Sequence, residues 1–188
     1  MKKRISYFMF LLVLIVCVAS SGVSYGIELN PDKERIEDTI KLGVSNPGKK
    51  IFETDLVKPA TFGNWPNFGG GLIKTKLVNL AVMSAMKRKS RKNLKEEDAN
   101  AMMGSEVLTI SYRGGEDVFK IKLSQNGRLI EPVNMARPNT DRNGVKDHVI
   151  FYSVSFPYAK LNLEGKTTIL ILKDFGDEKY IVDFSRIK

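Results

Sequence analysis

The feature that most constrains the fold is a change in hydrophobic period at about Ser105. After this residue, short runs such as 108–112 and 119–123 alternate apolar and polar side chains, and turn residues separate them. A period of two is typical of strands that bury one face and solvate the other. Regularly spaced strands of this kind predict an antiparallel β-sandwich over residues 105–188, either immunoglobulin-like or a partly open barrel.

Three turn signals divide the predicted strands. Arg113–Glu116 contains two glycines, Asn126–Gly127 is the dipeptide that favours a two-residue hairpin turn, and Asp174–Asp177 combines acids with a glycine. We expect a tight turn at the first and hairpins at the other two. A looser stretch over 134–147 is expected to lead into a strand over 149–156.

The segment before the strands follows a helical pattern instead. Asn30 followed by Pro31 is typical of a helix start, because Asn caps the first turn and Pro needs no hydrogen bond there. Ile36 and Ile40 are spaced to share one helical face. The sequence therefore predicts a first amphipathic helix that ends at the Asn-Pro-Gly break over 46–48.

A second helix is predicted from about Leu72 to Met103. Residues 77–86 are apolar almost all round, which favours a buried helix. Residues 49–71, between the two helices, are rich in Gly, Pro and aromatic side chains. We expect a helical region over 27–104 with an aromatic loop, so the whole chain is predicted to be α+β, with N-terminal helices followed by the C-terminal sandwich.

The N-terminus predicts export. Basic residues precede an apolar run over 5–19, and small residues follow, which is the profile of a signal peptide over 1–26 with cleavage after Ser21 or Gly26. Cleavage removes three of the 30 basic residues and none of the 21 acidic ones, which lowers the formal net charge from +9 to +6. The alternatives are an uncleaved segment that anchors the chain in the membrane, and a lipid attached to Cys17.

Cys17 and His148 are the only cysteine and histidine of the chain. They exclude a Cys₂His₂ or His₃ zinc site and a disulfide within one chain, and any nucleophilic triad would depend on His148. The sequence has no phosphate loop, dinucleotide-binding motif or nucleophile elbow. We therefore expect no cofactor and favour a protein that is not an enzyme.

A basic run and the aromatic loop form the predicted binding surface. Five cations occur within 87–92, and their potential attracts anionic lipid headgroups and acidic polymers. The competing interpretation is that the rings are buried as a lid and the cations form a solvated helix end. The residues predicted to bind are Phe62, Trp65, Phe68, Lys87, Arg88, Lys89, Arg91 and Lys92.

One loop has the spacing of calcium ligands. Oxygen-bearing side chains alternate over 139–147, as in the first half of an EF-hand calcium loop. The position that should supply a bidentate acid is Ile150, and two cations inside the loop oppose metal binding, which favours an ordinary inter-strand loop. The candidate ligands are Asn139, Asp141, Asn143 and Asp147.

Together these patterns predict an exported bacterial envelope protein, in the periplasm or at the cell surface, that binds or scaffolds an anionic partner. An anionic membrane surface, an envelope polymer and another envelope protein are the partner classes, and export argues against nucleic acid. Two other functions stay open: a hydrolase with a carboxylate site that lacks a familiar motif, and a calcium-dependent structural or adhesion module.

Overall fold

The chain is an α+β protein, as the hydrophobic periods predict. The computed structural model describes residues 26–137 and 149–188. The helices in these ranges are α1 (Lys33–Ser45), α2 (Lys76–Lys89) and α3 (Glu96–Met103). The strands are β1 (Thr61–Gly63), β2 (Gly70–Lys74), β3 (Val107–Gly114), β4 (Val118–Gln125), β5 (Arg128–Ile130), β6 (Asn134–Ala136), β7 (Ile150–Pro157), β8 (Lys166–Lys173) and β9 (Glu178–Asp183).

The strands form two antiparallel sheets. One sheet has the order β1-β2-β3-β7-β6, and the other has the order β5-β4-β8-β9. The predicted turn at Arg113–Glu116 joins β3 to β4, which belong to different sheets, so the chain passes between sheets at this point. Sequence pattern locates a turn here, but only the pairing of β3 with β7 and of β4 with β8 separates the two strands.

Both predicted hairpins are present. In the β4–β5 hairpin, Gln125 pairs with Arg128, and the two turn residues Asn126 and Gly127 have φ values of 51° and 77°. Positive φ at both positions is what a type I′ turn requires, and Asn-Gly is the dipeptide that tolerates it best. The β8–β9 hairpin closes through Asp174–Asp177, also as expected.

The predicted second helix is wrong at its start and too long. Residues Gly70–Lys74 form the strand β2, which pairs with both β1 and β3. Gly71 allows this close packing, because a Cβ at that position would lie 2.8 Å from Phe62 Cε2. An apolar run alone does not distinguish a buried strand from a buried helix. The sequence pattern therefore predicts that the helix begins at about Leu72. The strands β1 and β2 also precede α2, so the order along the chain is more mixed than helices followed by strands.

Helix α1 begins later than predicted. Asp32 is its N-cap and accepts a hydrogen bond from the Arg35 N–H at 2.8 Å. The buried residues of α1 are Thr39 and Gly43, and Gly43 faces α2. Gly43 sets this packing distance, since a Cβ on it would lie 2.6 Å from Ser84 Cβ. The helices therefore approach closely at a glycine, which lies on the same helical face as the half-buried Ile36 and Ile40.

A single cluster of buried side chains connects α2 with both sheets. It contains residues of the second helix, such as Leu77 and Val78, and inward-facing residues of both sheets, such as Ile110 and Ile169. Two hydroxyl-bearing rings at its centre, Tyr112 and Tyr152, are at most 1% exposed. The two sheets thus share one core, which fixes the surface elements described below.

Candidate functional site

The basic run ends helix α2 in a Schellman motif. The Lys92 N–H donates to Lys87 O at 2.9 Å, and the Arg91 N–H donates to Arg88 O at 3.0 Å. This motif needs a left-handed residue just after the helix, and Arg91 fills that position with φ 55°. The turn therefore places several exposed cations at one end of the helix.

The structure adds Lys49 to this group. A depression of about 540 Å³ lies between the end of α2 and the 3₁₀ helix Gly48–Glu53. No acidic side chain lines it in the part of the chain that the structure describes. Its lining residues are Pro47, Gly48, Lys49, Arg88, Lys89 and Arg91. We call Lys49, Arg88, Lys89 and Arg91 the basic depression.

The other two predicted cations are placed differently. Lys87 forms an ion pair with Asp98 of α3 at 3.5 Å, so one member of the run is neutralised by the acids that follow it. Lys92 is exposed beside the depression but is not among its lining residues. Four of the six positions at 87–92 therefore keep exposed cations: Arg88, Lys89, Arg91 and Lys92.

The three predicted aromatic residues occupy three different environments. Phe62 is 6% exposed and its ring stacks on Tyr112 with centroids 6.4 Å apart. Trp65 is half-buried and packs edge-on against Phe52, with its indole Nε1 buried and without an acceptor among the described residues. Phe68 is 49% exposed.

Phe68 lies beside the turn Arg113–Glu116, where the chain passes from one sheet to the other, and not beside the basic depression. A Cβ built on Gly115 would be 3.8 Å from Phe68 Cζ. Exposed Phe151 is at the same end, where Arg113 lies over its ring at 4.7 Å. Within the described ranges, no contact brings Phe68 to the cations, so the structure separates the predicted aromatic and basic parts of the surface.

A larger groove lies between β1 and β9, which are edge strands of the two sheets. Its volume is about 1030 Å³. Gly63 and Tyr180 approach each other closely, and several of the residues that line the groove are charged. The charged residues that line the groove are Asp55, Lys58, Lys166, Asp183, Arg186 and Lys188.

Asp183 is held in its ionised form within this groove. The hydroxyl and backbone N–H of Ser185 donate to its Oδ1 at 2.6 and 3.1 Å, and they hold the pKa of this carboxyl below its usual 3.8. A carboxyl that is ionised at neutral pH does not serve as a general acid. Asp183 therefore lacks the raised pKa that the general acid of a hydrolase requires.

A polar network around Glu178 links the two sheets. Tyr112 of β3 and Tyr180 of β9 donate to Glu178 Oε2 at 2.7 and 2.6 Å, and Lys173 pairs with Oε1. Burial alone would raise the pKa of Glu178, but the hydrogen bonds from Lys173, Tyr180 and Tyr112 outweigh it and hold the pKa below 4.5. Burial and the contact with Glu178 raise the pKa of Tyr180 to about 12, and they raise the pKa of Tyr112 as well. Both phenols therefore stay protonated donors.

The candidate calcium ligands and His148 lie outside the described residues, as do residues 1–25 with Cys17. Over 26–137 and 149–188, no group of three or more His, Cys, Asp or Glu side chains is arranged to hold a metal ion. The helices of these same ranges are too short or too polar to cross a membrane.

Comparison with known proteins identified no match: no protein-family model, no curated protein and no solved structure is significantly similar to this chain.

Proposed function

We propose that this chain is an exported envelope protein that binds an anionic surface through its basic depression and does not act as an enzyme. The anionic surface is that of lipid headgroups or of an acidic envelope polymer. One observation carries the proposal: four cations from two separate elements line one depression, without an acid among the described residues that line it.

Physical chemistry supports an anionic partner in two ways. Like charges at close range repel, so grouping Lys49 with Arg88, Lys89 and Arg91 costs stability unless a counter-charge is present. Arg91 also occupies a left-handed position that favours glycine, and a residue retained against its backbone preference points to a use for its side chain. The N-terminal basic and apolar profile supports export, and with it an envelope location.

We further propose that the two sheets form a β-sandwich, which is a common scaffold for binding proteins. Inward-facing residues of both sheets occur in one core cluster, such as Ile110 and Val154 of one sheet and Ile121 and Ile171 of the other. The hydrogen bond from Tyr112 to Glu178 also joins the sheets. A sandwich of this kind would present the helices and loops from a rigid base.

The test expresses the full-length chain and measures binding of the purified product to vesicles of phosphatidylcholine with or without phosphatidylglycerol. The variant replaces Lys49, Arg88, Lys89 and Arg91 with Gln. Each cation near an anionic surface contributes on the order of 1 kcal/mol, so we expect at least a tenfold loss, roughly, of affinity for the anionic vesicles at low salt. Mass spectrometry of the same product reads whether cleavage followed Ser21 or Gly26.

A matched control removes four exposed cations elsewhere: Lys33, Lys41, Arg128 and Lys160 become Gln. Both variants lower the net charge by four, so the comparison separates the position of the cations from the total charge. Equal binding by the two variants would show that the basic depression is not the contact. Wild-type binding that is the same with and without phosphatidylglycerol would show this too. Competition by a soluble acidic polysaccharide then distinguishes a polymer from a lipid partner.

A further inference from the structure

Strand β9 has one open edge. The Phe184 N–H donates to Gly165 O at 3.1 Å on the β8 side. Hydrogen bonds along an antiparallel strand alternate in direction, so the backbone groups of Lys179, Ile181 and Asp183 point away from β8. No strand of the described chain pairs with β9 on that side, and the groove between β1 and β9 borders it.

The side chains on this edge form a self-complementary pattern. Successive residues of a strand alternate between faces, so Lys179, Ile181 and Asp183 share the outer face of the sheet. Ile181 is 75% exposed, which is unusual for a large apolar side chain in the middle of a strand. Lys179 lies two residues before Ile181, and Asp183 lies two residues after it.

We propose that β9 pairs with β9 of a second copy of this chain, antiparallel and centred on Ile181. In this register a two-fold axis passes between Ile181 and the same residue of the partner. Lys179 then lies directly opposite the partner's Asp183, and Asp183 opposite the partner's Lys179. Because an isologous interface uses the same patch twice, a strand with opposite charges equally spaced about an apolar centre is complementary to itself.

The backbone agrees with the same register. Lys179, Ile181 and Asp183 are the residues whose N–H and C=O groups face outward, and in this register each lies opposite another such residue. In this register the Ile181 pair exchanges two backbone hydrogen bonds and a Lys179–Asp183 pair flanks it on each side, so the two four-stranded sheets become one continuous sheet of eight strands. Asp183 also lies opposite Lys166 of β8. Lys166, Asp183 and the partner's Lys179 therefore alternate in sign across the proposed interface.

A short strand pair of this kind forms a weak dimer, so its population depends on concentration. The test is sedimentation velocity of the product purified after expression of the full-length chain, over a concentration series. We expect a shift from monomer to dimer in the wild type. Ile181→Lys should weaken the dimer at least about tenfold, because two cations then meet at the axis. The matched control is Leu129→Lys, an exposed leucine on β5 at the opposite edge of the same sheet, which should leave the dimer unchanged.

A charge exchange distinguishes a lost interface from a lost fold, because variants that fail to fold would not dimerise when they are mixed. Lys179→Asp alone and Asp183→Lys alone each place like charges opposite each other and should each sediment as monomers. In an equimolar mixture every cross-strand pair is again of opposite sign, so the mixture should dimerise. A wild type that stays monomeric at all concentrations, or single variants that dimerise like the wild type, would overturn the proposal and leave this edge to another occupant, such as an acidic extended peptide.

Discussion

At the residue scale, the backbone conformation of Arg91 is evidence that its side chain has a function. A left-handed conformation costs a residue with a Cβ about 1–2 kcal/mol, and glycine avoids that cost. The bonds from Arg91 and Lys92 to the last turn of α2 need this conformation whatever the side chain is. The folded protein is therefore less stable with arginine at this position than with glycine. The charge of the arginine is the property that glycine lacks.

Replacing Arg91 with Gly should raise the free energy of unfolding by up to about 1 kcal/mol, because it relieves the left-handed strain while the larger freedom of unfolded glycine offsets part of the gain. Urea denaturation of wild type and variant measures this change. The control is Asn126→Gly, the other non-glycine residue with positive φ in the described part of the chain. Asn already tolerates this conformation, so the gain should be smaller. A loss of stability in the Arg91 variant would contradict this account.

At the element scale, the contact between α1 and α2 depends on the absence of a side chain. Gly43 faces Ala81 and Ser84 across the two helices, and a Cβ there has no room without a shift of backbone. Helical glycine is unfavourable by itself, by about 1 kcal/mol relative to alanine. The chain accepts this cost because close packing of the helices buries the faces on either side.

Substitution of Gly43 by Ala should lower the free energy of unfolding by about 2 kcal/mol, since overpacking outweighs the gain in helix propensity. Thermal or urea unfolding monitored by circular dichroism measures it. Gly104→Ala is the matched control, because Gly104 has φ −74° and the nearest atom to its Cβ is Asn100 O at 3.4 Å. We expect that control to be neutral or slightly stabilising, and equal effects of the two substitutions would show that helix contact is not the cause.

At the scale of the whole molecule, Glu178 connects the two sheets and makes their association dependent on pH. Lys173, whose side chain is 9% exposed, has its ion pair with this carboxylate, and Tyr112 brings in the other sheet. The pKa of Glu178 is lower in the folded chain than its usual 4.5. Its contribution to stability is therefore present above pH 4.5 and is lost as the pH falls through the lowered pKa of the folded state.

Glu178→Gln should lower the free energy of unfolding at neutral pH by roughly 2 kcal/mol, because it leaves a largely buried lysine without a counter-charge. The difference from wild type should shrink as the pH falls below 4.5, which urea titrations at several pH values measure. Glu131→Gln is the control: this carboxylate also pairs with two lysines, Lys120 and Lys122, but it is exposed. A difference that does not vary with pH, or an equal effect of the control, would contradict the role of the buried pair.

Part of the candidate site was predictable and part was not. The cluster of cations at 87–92 is visible in the sequence because its members are consecutive. Lys49 carries no local signal that links it to Arg88, since only the packing of the 3₁₀ helix against α2 brings them together. Phe62 and Phe68 look alike in the sequence, yet the first is buried in the core and the second is exposed beside the turn between the two sheets.

The sequence by itself determined the α+β class, most of the strand positions and the two hairpins. Hydrophobic period and turn residues act over a few neighbours, so they are readable without the rest of the chain. Only the tertiary structure decided which sheet each strand joins, that Gly70–Lys74 is a strand, and that β9 has an open edge. These outcomes depend on contacts between residues far apart in the chain, where burial against a particular partner outweighs local preference.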